Sequence, residues 1–251
     1  MNSFFLLLIS ISKSISIIEN SLFYNCYILV GSLNIPDKVI SIQNYAFYNC
    51  SGFTGPLKIP VNTKTIDDGS LYNCYRFTGS LVIPEKLTTI NSYSFYNCNG
   101  LDGELTIPIN ATFISQSAFY NCNQLQGELK IPDKVETIWY STFENCHGFN
   151  SLKLPETLKS ICESTFSNCY GFSNSLTIPE SVEKIEAFAF YNCVGFKGSL
   201  SISNTITSFG SSAFYNCESL KSIEIPHSVS FIGNSAFYGC IKLTQMQIPS
   251  S

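Results

Sequence analysis

The chain has 251 residues, of which 45% are hydrophobic and 13% charged, with a net charge of -4. That balance is too apolar for a disordered chain, and it demands a buried core. The 14 Lys and Arg residues are scattered singly, which argues against a nucleic-acid partner, and no apolar run reaches the roughly 18 residues that a membrane-spanning helix needs.

The first element is the apolar run Phe4-Phe5-Leu6-Leu7-Leu8-Ile9. It fits the apolar segment of a secretory signal, although no Lys or Arg precedes it and no A-x-A-like cleavage site follows. It also fits a degenerate first repeat over residues 1–18, because one repeat length back from Leu29, Leu33, Ile35, Val39 and Ile42 stand Phe5, Ile9, Ile11, Ile15 and Ile18. The two readings are compatible.

The next element is the pair Leu33/Ile35, which alternates with the strand period of two and is closed by Pro36. Proline has no N–H for a ladder, so it marks where a short strand stops and the chain bends. A second apolar pair, Val39/Ile42, then returns the chain inward and is expected to form the opposite wall, a second short strand being one reading of it. Ala46-Phe47-Tyr48-Asn49-Cys50 follows, too short for an ordinary helix; it predicts a tight turn whose Phe plugs the core and stacks on its counterparts.

This three-part unit repeats along the whole chain. Ten of the 11 cysteines, from Cys26 to Cys240, recur in steps of 23 or 24. Strand pairs recur at Leu57/Ile59, Leu81/Ile83, Leu105/Ile107, Leu129/Ile131, Leu152/Leu154 and Leu176/Ile178, and second pairs at Leu87/Ile90, Val135/Ile138, Leu158/Ile161, Val182/Ile185 and Val229/Ile232. A short period of this size with recurring Leu and Ile is the signature of a leucine-rich solenoid, in which each turn buries its apolar edge against the next. The expected fold is therefore a repeat solenoid of leucine-rich type. It is mainly β, with short parallel strands and tight turns, about ten turns forming one unit over residues 1–251.

The run Ile-Pro, Val-x-x-Ile, Ala-Phe-x-x-Cys resembles the BspA-like, or treponemal-type, subfamily of leucine-rich repeats. Cys217-Glu218-Ser219-Leu220-Lys221-Ser222-Ile223-Glu224-Ile225-Pro226 looks like the shorter form of that repeat. Most other copies carry one extra residue near a glycine such as Gly127 or Gly198. The resemblance implies a curved solenoid and a place on bacterial or protist cell surfaces, where adhesion is the proposed role. It implies no catalytic residues and no cofactor. The expected function is a non-catalytic binding protein, secreted or at the cell surface, that contacts a protein or cell-surface ligand; the alternative is a cytoplasmic scaffold.

Few residues suggest chemistry. No C-x-x-C occurs, and cysteines one turn apart form a line and not a tetrahedron, so buried thiols are expected in preference to metal ligands or disulfides. Cys162, outside the row, is expected to be exposed, either as a neutral substitution or as a thiol able to pair between molecules. Asn precedes Cys in nine of ten turns, which suggests a side-chain ladder serving backbone groups at the bend, with Gly239 in the tenth. Asn49-Cys50-Ser51 and Asn110-Ala111-Thr112 match the glycosylation acceptor pattern, and only Asn110 suits a surface site. His147 and His227 lie in distant turns and support no metal or nucleophilic cluster.

Two stripes are candidate contact surfaces. One is the outward strand position between Leu and Ile: Asn34, Lys58, Val82, Thr106, Lys130, Lys153, Thr177, Ser201, Glu224 and Gln247. The strand face is a solenoid's usual binding surface, although a merely solvated face has the same composition. The other is the Tyr two positions before the repeat Cys, at Tyr24, Tyr48, Tyr72, Tyr96, Tyr120, Tyr191, Tyr215 and Tyr238. These rings either meet a partner or pack on one another.

Overall fold

A computed structural model describes residues 9–247. Every paired strand is parallel to its neighbours, and the described residues contain no helix. The result is a parallel β-solenoid of about ten turns with two rows of short strands.

The first row carries the Leu-x-Ile pairs, as in Leu81–Val82, Leu105–Thr106, Gly127–Lys130, Phe149–Lys153 and Leu220–Glu224. Leu and Ile point inward and the residue between them outward, as the strand period dictates. The carbonyl of the following proline accepts from the N–H three positions on, for example from Val39 to Pro36 and from Val135 to Pro132. This turn delivers the chain to the second row, where the second member of the apolar pair and the residue before it form a short strand, as in Ser41–Ile42. Seven such strands, from Thr89–Ile90 to Phe231–Ile232, make one continuous sheet.

The two shorter turns, ending at Cys169 and Cys240, need a correction in register. Each pairs with a preceding turn that is one residue longer, and the register slips at Gly127/Glu128 and at Gly198/Ser199. Gly127 and Gly198 have φ of 84° and 77°, so a bulge at a glycine absorbs the extra residue.

The core is one cluster running the length of the stack. The Phe of the tight turn stacks on its counterparts, with centroids 5.5 Å apart for Phe95/Phe119, 5.2 Å for Phe119/Phe143 and 5.8 Å for Phe143/Phe166. Leu71 interrupts this row, which resumes at Phe95. The ends depart from the expected pattern. The repeat places Ile232 and Ile15 inward, but they are 37% and 38% exposed, because no described turn covers that side of either. Ile18 is buried and Ile9 and Ile11 pack partly against the core, while Phe5 lies outside the described residues.

Candidate partner-binding faces

Two left-handed residues four apart bracket each tight turn, such as Tyr93 (φ 56°) and Asn97 (φ 55°). Between them N–H groups alternate in direction: Phe95 and Asn97 donate to Ala118 and Tyr120 of the next turn, whereas Tyr96 and Cys98 donate within their own turn. All nine Asn before the repeat Cys have φ between 55° and 62°, and Gly239 has 75°. The position requires left-handed backbone, which Asn and Gly tolerate best.

That corrects the expected role of the asparagines. Main-chain groups satisfy the bend, and the Asn side chains bond one another: Asn97 Nδ2 donates to Asn73 Oδ1 (2.8 Å), and Asn192 Nδ2 to Asn168 Oδ1 (2.9 Å). Asn49 is engaged in the same way with Asn25 (3.0 Å). Asn110 is exposed, and its Oδ1 accepts from Lys134 Nζ at 2.8 Å.

The cysteines are free, and those of the repeat row from Cys50 onward are buried. Each of these thiols donates to a main-chain carbonyl of the preceding turn, as Cys122 does to Phe95 O and Cys146 to Phe119 O, both at 3.1 Å. Burial pushes the thiols of Cys50 and Cys122 up to about 12. Cys is thus a residue small enough for the slot that also supplies a weak donor. Cys162 is not exposed: it is 6% accessible, aligned between the larger Trp139 and Glu186 of the flanking turns, and burial raises its thiol to about 11. His147 packs on Tyr170 at 4.6 Å, and burial lowers its pKa, while His227 is exposed in a distant turn. Among the described residues, no group of three or more His, Cys, Asp or Glu is arranged to hold a metal ion.

The strand face brings its ten positions together as one exposed row, Asn34, Lys58, Val82, Thr106, Lys130, Lys153, Thr177, Ser201, Glu224 and Gln247. Asn34 pairs with Lys58, Val82 with Thr106, Lys130 with Lys153, Thr177 with Ser201 and Glu224 with Gln247. Lys130 and Lys153 therefore sit about 5 Å apart on neighbouring strands. Towards the C-terminal turns the face becomes a polar groove lined by Ser199, Ser201, Ser222, Glu224, Gln245 and Gln247.

The Tyr row does pack on itself. Rings of Tyr24, Tyr48, Tyr72, Tyr96 and Tyr120 stack with centroids 4.3–4.6 Å apart, and Tyr191, Tyr215 and Tyr238 form a second stack at 4.9 Å. Rings inside each stack have both faces covered, while the end rings, Tyr120 and Tyr191 among them, have one stacked neighbour each. Sequence reasoning missed the backbone conformation behind Asn, although Gly239 in the tenth copy was its signal, and missed that the single Trp lies on the same flank.

The model of the BspA type leucine rich repeat region matches in six copies over residues 1–126 and 125–244. No curated protein matches the sequence. Among solved structures, a leucine rich cell surface protein from Faecalibacterium prausnitzii is similar at 24% identity, with 95% of this chain and 78% of that one covered and a TM-score of 0.51. A leucine-rich repeat protein from Bacteroides ovatus aligns at 19% identity over 88% of this chain and 68% of its own, with a TM-score of 0.65. The leucine rich repeat protein of T. pallidum aligns at 24% over 65% and 77%, with a TM-score of 0.59. At these identities the likeness concerns the fold alone. With the family's repeat model spanning residues 1–244 and the stacked turns to match it, this chain belongs to the BspA-type leucine-rich repeat family.

Proposed function

We propose that the chain is a non-catalytic, adhesin-like binding protein, working as one solenoid and contacting a protein or cell-surface ligand through the strand face. The observation that carries the reading is the exposure of all ten outward strand positions, paired two by two across neighbouring turns into a mixed-polarity face. A preformed row of this kind presents many side chains without a backbone ordering cost at the moment of binding. The similar Faecalibacterium protein, described as a cell surface protein, favours an exported setting over the cytoplasmic scaffold.

The test is capture of extracellular-matrix and cell-surface proteins by the wild-type chain and by Lys130→Ala/Lys153→Ala. A partner held by the wild type and weakened about ten-fold in the variant supports the strand face. Unchanged binding would move the contact elsewhere. A tagged chain that stays in the cytosol with Met1 uncleaved would favour the scaffold.

A further inference from the structure

All 14 tyrosines and the single tryptophan fall in the segments between a second-row strand and the residue after the repeat cysteine. In the ten turns those segments, 19–27 through 233–241, carry seven carboxylates and no Lys or Arg. The rest of the chain carries all 14 basic residues against 11 acids. Charge is thus segregated by face: the aromatic flank has -7 and the remainder +3. A merely solvated flank would need neither the exclusion of lysine nor the concentration of rings, and Tyr and Trp enrichment with Lys depletion is the composition of an interface core.

The middle of the flank departs from the ladder. Asn121 N–H donates to Glu144 O and Asn145 N–H to Ser167 O, the bonds that Tyr carbonyls accept in the turns on either side. Glu144 and Ser167 therefore stand where two rings would be. The gap from Tyr120 to Tyr191 spans three strand spacings, about 14 Å. Tyr120 stacks on Tyr96 and Tyr191 on Tyr215, so among the described residues each lacks a stacked ring on its gap side. Glu163 of the next turn is exposed and close enough to Glu144 for their charges to interact, and in the same turn as Glu144 stand Trp139 and Tyr140, exposed, with rings 5.6 Å apart.

We infer that this acidic, lysine-free aromatic flank is a second docking face, and that its occupant is a protein segment bearing exposed arginines. A guanidinium is planar, stacks on an open ring face as the missing tyrosines would, and pairs with a carboxylate at the same time. Phosphate-bearing partners and anionic membranes are repelled by the same charge. The inference rests on the chain being a binding protein, and not on the strand face being its site.

Trp139 reports from the flank itself, so the test is a titration of its fluorescence with a short peptide alternating Arg and Ser, and with the matching Glu and Ser peptide. The Arg peptide is expected to bind in low salt and to weaken as salt rises, and the Glu peptide is expected to leave Trp139 unchanged. The isosteric pair Glu144→Gln/Glu163→Gln, checked by circular dichroism for an unaltered fold, is expected to weaken the Arg peptide about five-fold. Lys130→Ala/Lys153→Ala is expected to bind it as the wild type does. Equal affinity for both peptides, no effect of the Gln pair, or loss of binding in the Lys variant would overturn the proposal. So would self-association of the chain alone that the Gln pair abolishes, since the occupant would then be a second copy.

Discussion

Replacing Asn97 separates its two structural duties. Its side chain bridges Asn73 at 2.8 Å and Asn121 at 2.5 Å, and its backbone sits at φ 55°. Asn97→Ala and Asn97→Gly lose the same three hydrogen bonds, the third accepted from Asn99 Nδ2 at 3.3 Å, about 1 kcal/mol each in a partly buried ladder. They differ only in backbone. Alanine keeps the Cβ clash of about 1–2 kcal/mol that asparagine already bears in the left-handed region, whereas glycine relieves it but loses more entropy on folding, about 0.5–1 kcal/mol. Asn97→Ala should therefore cost about 3 kcal/mol, and Asn97→Gly about 1 kcal/mol less. Urea unfolding followed by Trp139 fluorescence and far-ultraviolet circular dichroism measures both midpoints. An alanine variant as stable as the glycine variant would refute the requirement for left-handed backbone.

The thiols supply a pH prediction. Burial raises Cys122 from an ordinary 9.0 to about 12, so the folded state keeps a proton that the unfolded state releases first. Stability from this source is complete below pH 9 and is lost as pH rises towards about 12. Alkaline melts should show that fall, and a flat profile would contradict it. Alkylation of the native protein near neutral pH should leave the row from Cys50 to Cys240 unlabelled until denaturant is added, whereas rapid native labelling would contradict a buried row. Phe119→Ala should cost about 3–5 kcal/mol in the middle of the ring stack. Phe237→Ala, on a partly buried ring at the last described turn, should cost about half as much, and equal costs in denaturant unfolding would argue against stack position as the cause.

Much of the architecture was legible because every turn repeats the same decision. Leu-x-Ile followed by Pro fixed the first strand row, and the cysteine spacing fixed the count of turns. Val39 and Ile42 placed the second wall and suggested a second short strand there, which Ser41–Ile42 and its counterparts form. What sequence could not show was local and conformational. Asn reads as a polar ladder because its hydrogen-bonding capacity is visible in its side chain, while its tolerance of positive φ is visible only beside Gly239. Cys162 reads as exposed because its slot varies in polarity, yet its size relative to Trp139 and Glu186 decides its burial. Ile15 and Ile232 obey the repeat but have no covering turn among the described residues, and burial depends on that neighbour as well as on the periodic pattern. The strand-face row was named residue by residue in the sequence, since it is the strict complement of the buried pairs. The charge segregation of the aromatic flank is written in the sequence too, but only as a sum over ten segments, none of which carries more than two carboxylates.

Lysine footprinting tests the strand-face reading most directly. The chain is acetylated alone and when saturated with a partner that it captures, and labelling is read by mass spectrometry at each lysine. Protection of Lys58, Lys130 and Lys153, with Lys38 and Lys86 beyond the strand-ending prolines still reactive, is the predicted result. Equal labelling of Lys130 and Lys153 in the free and bound chain would contradict it.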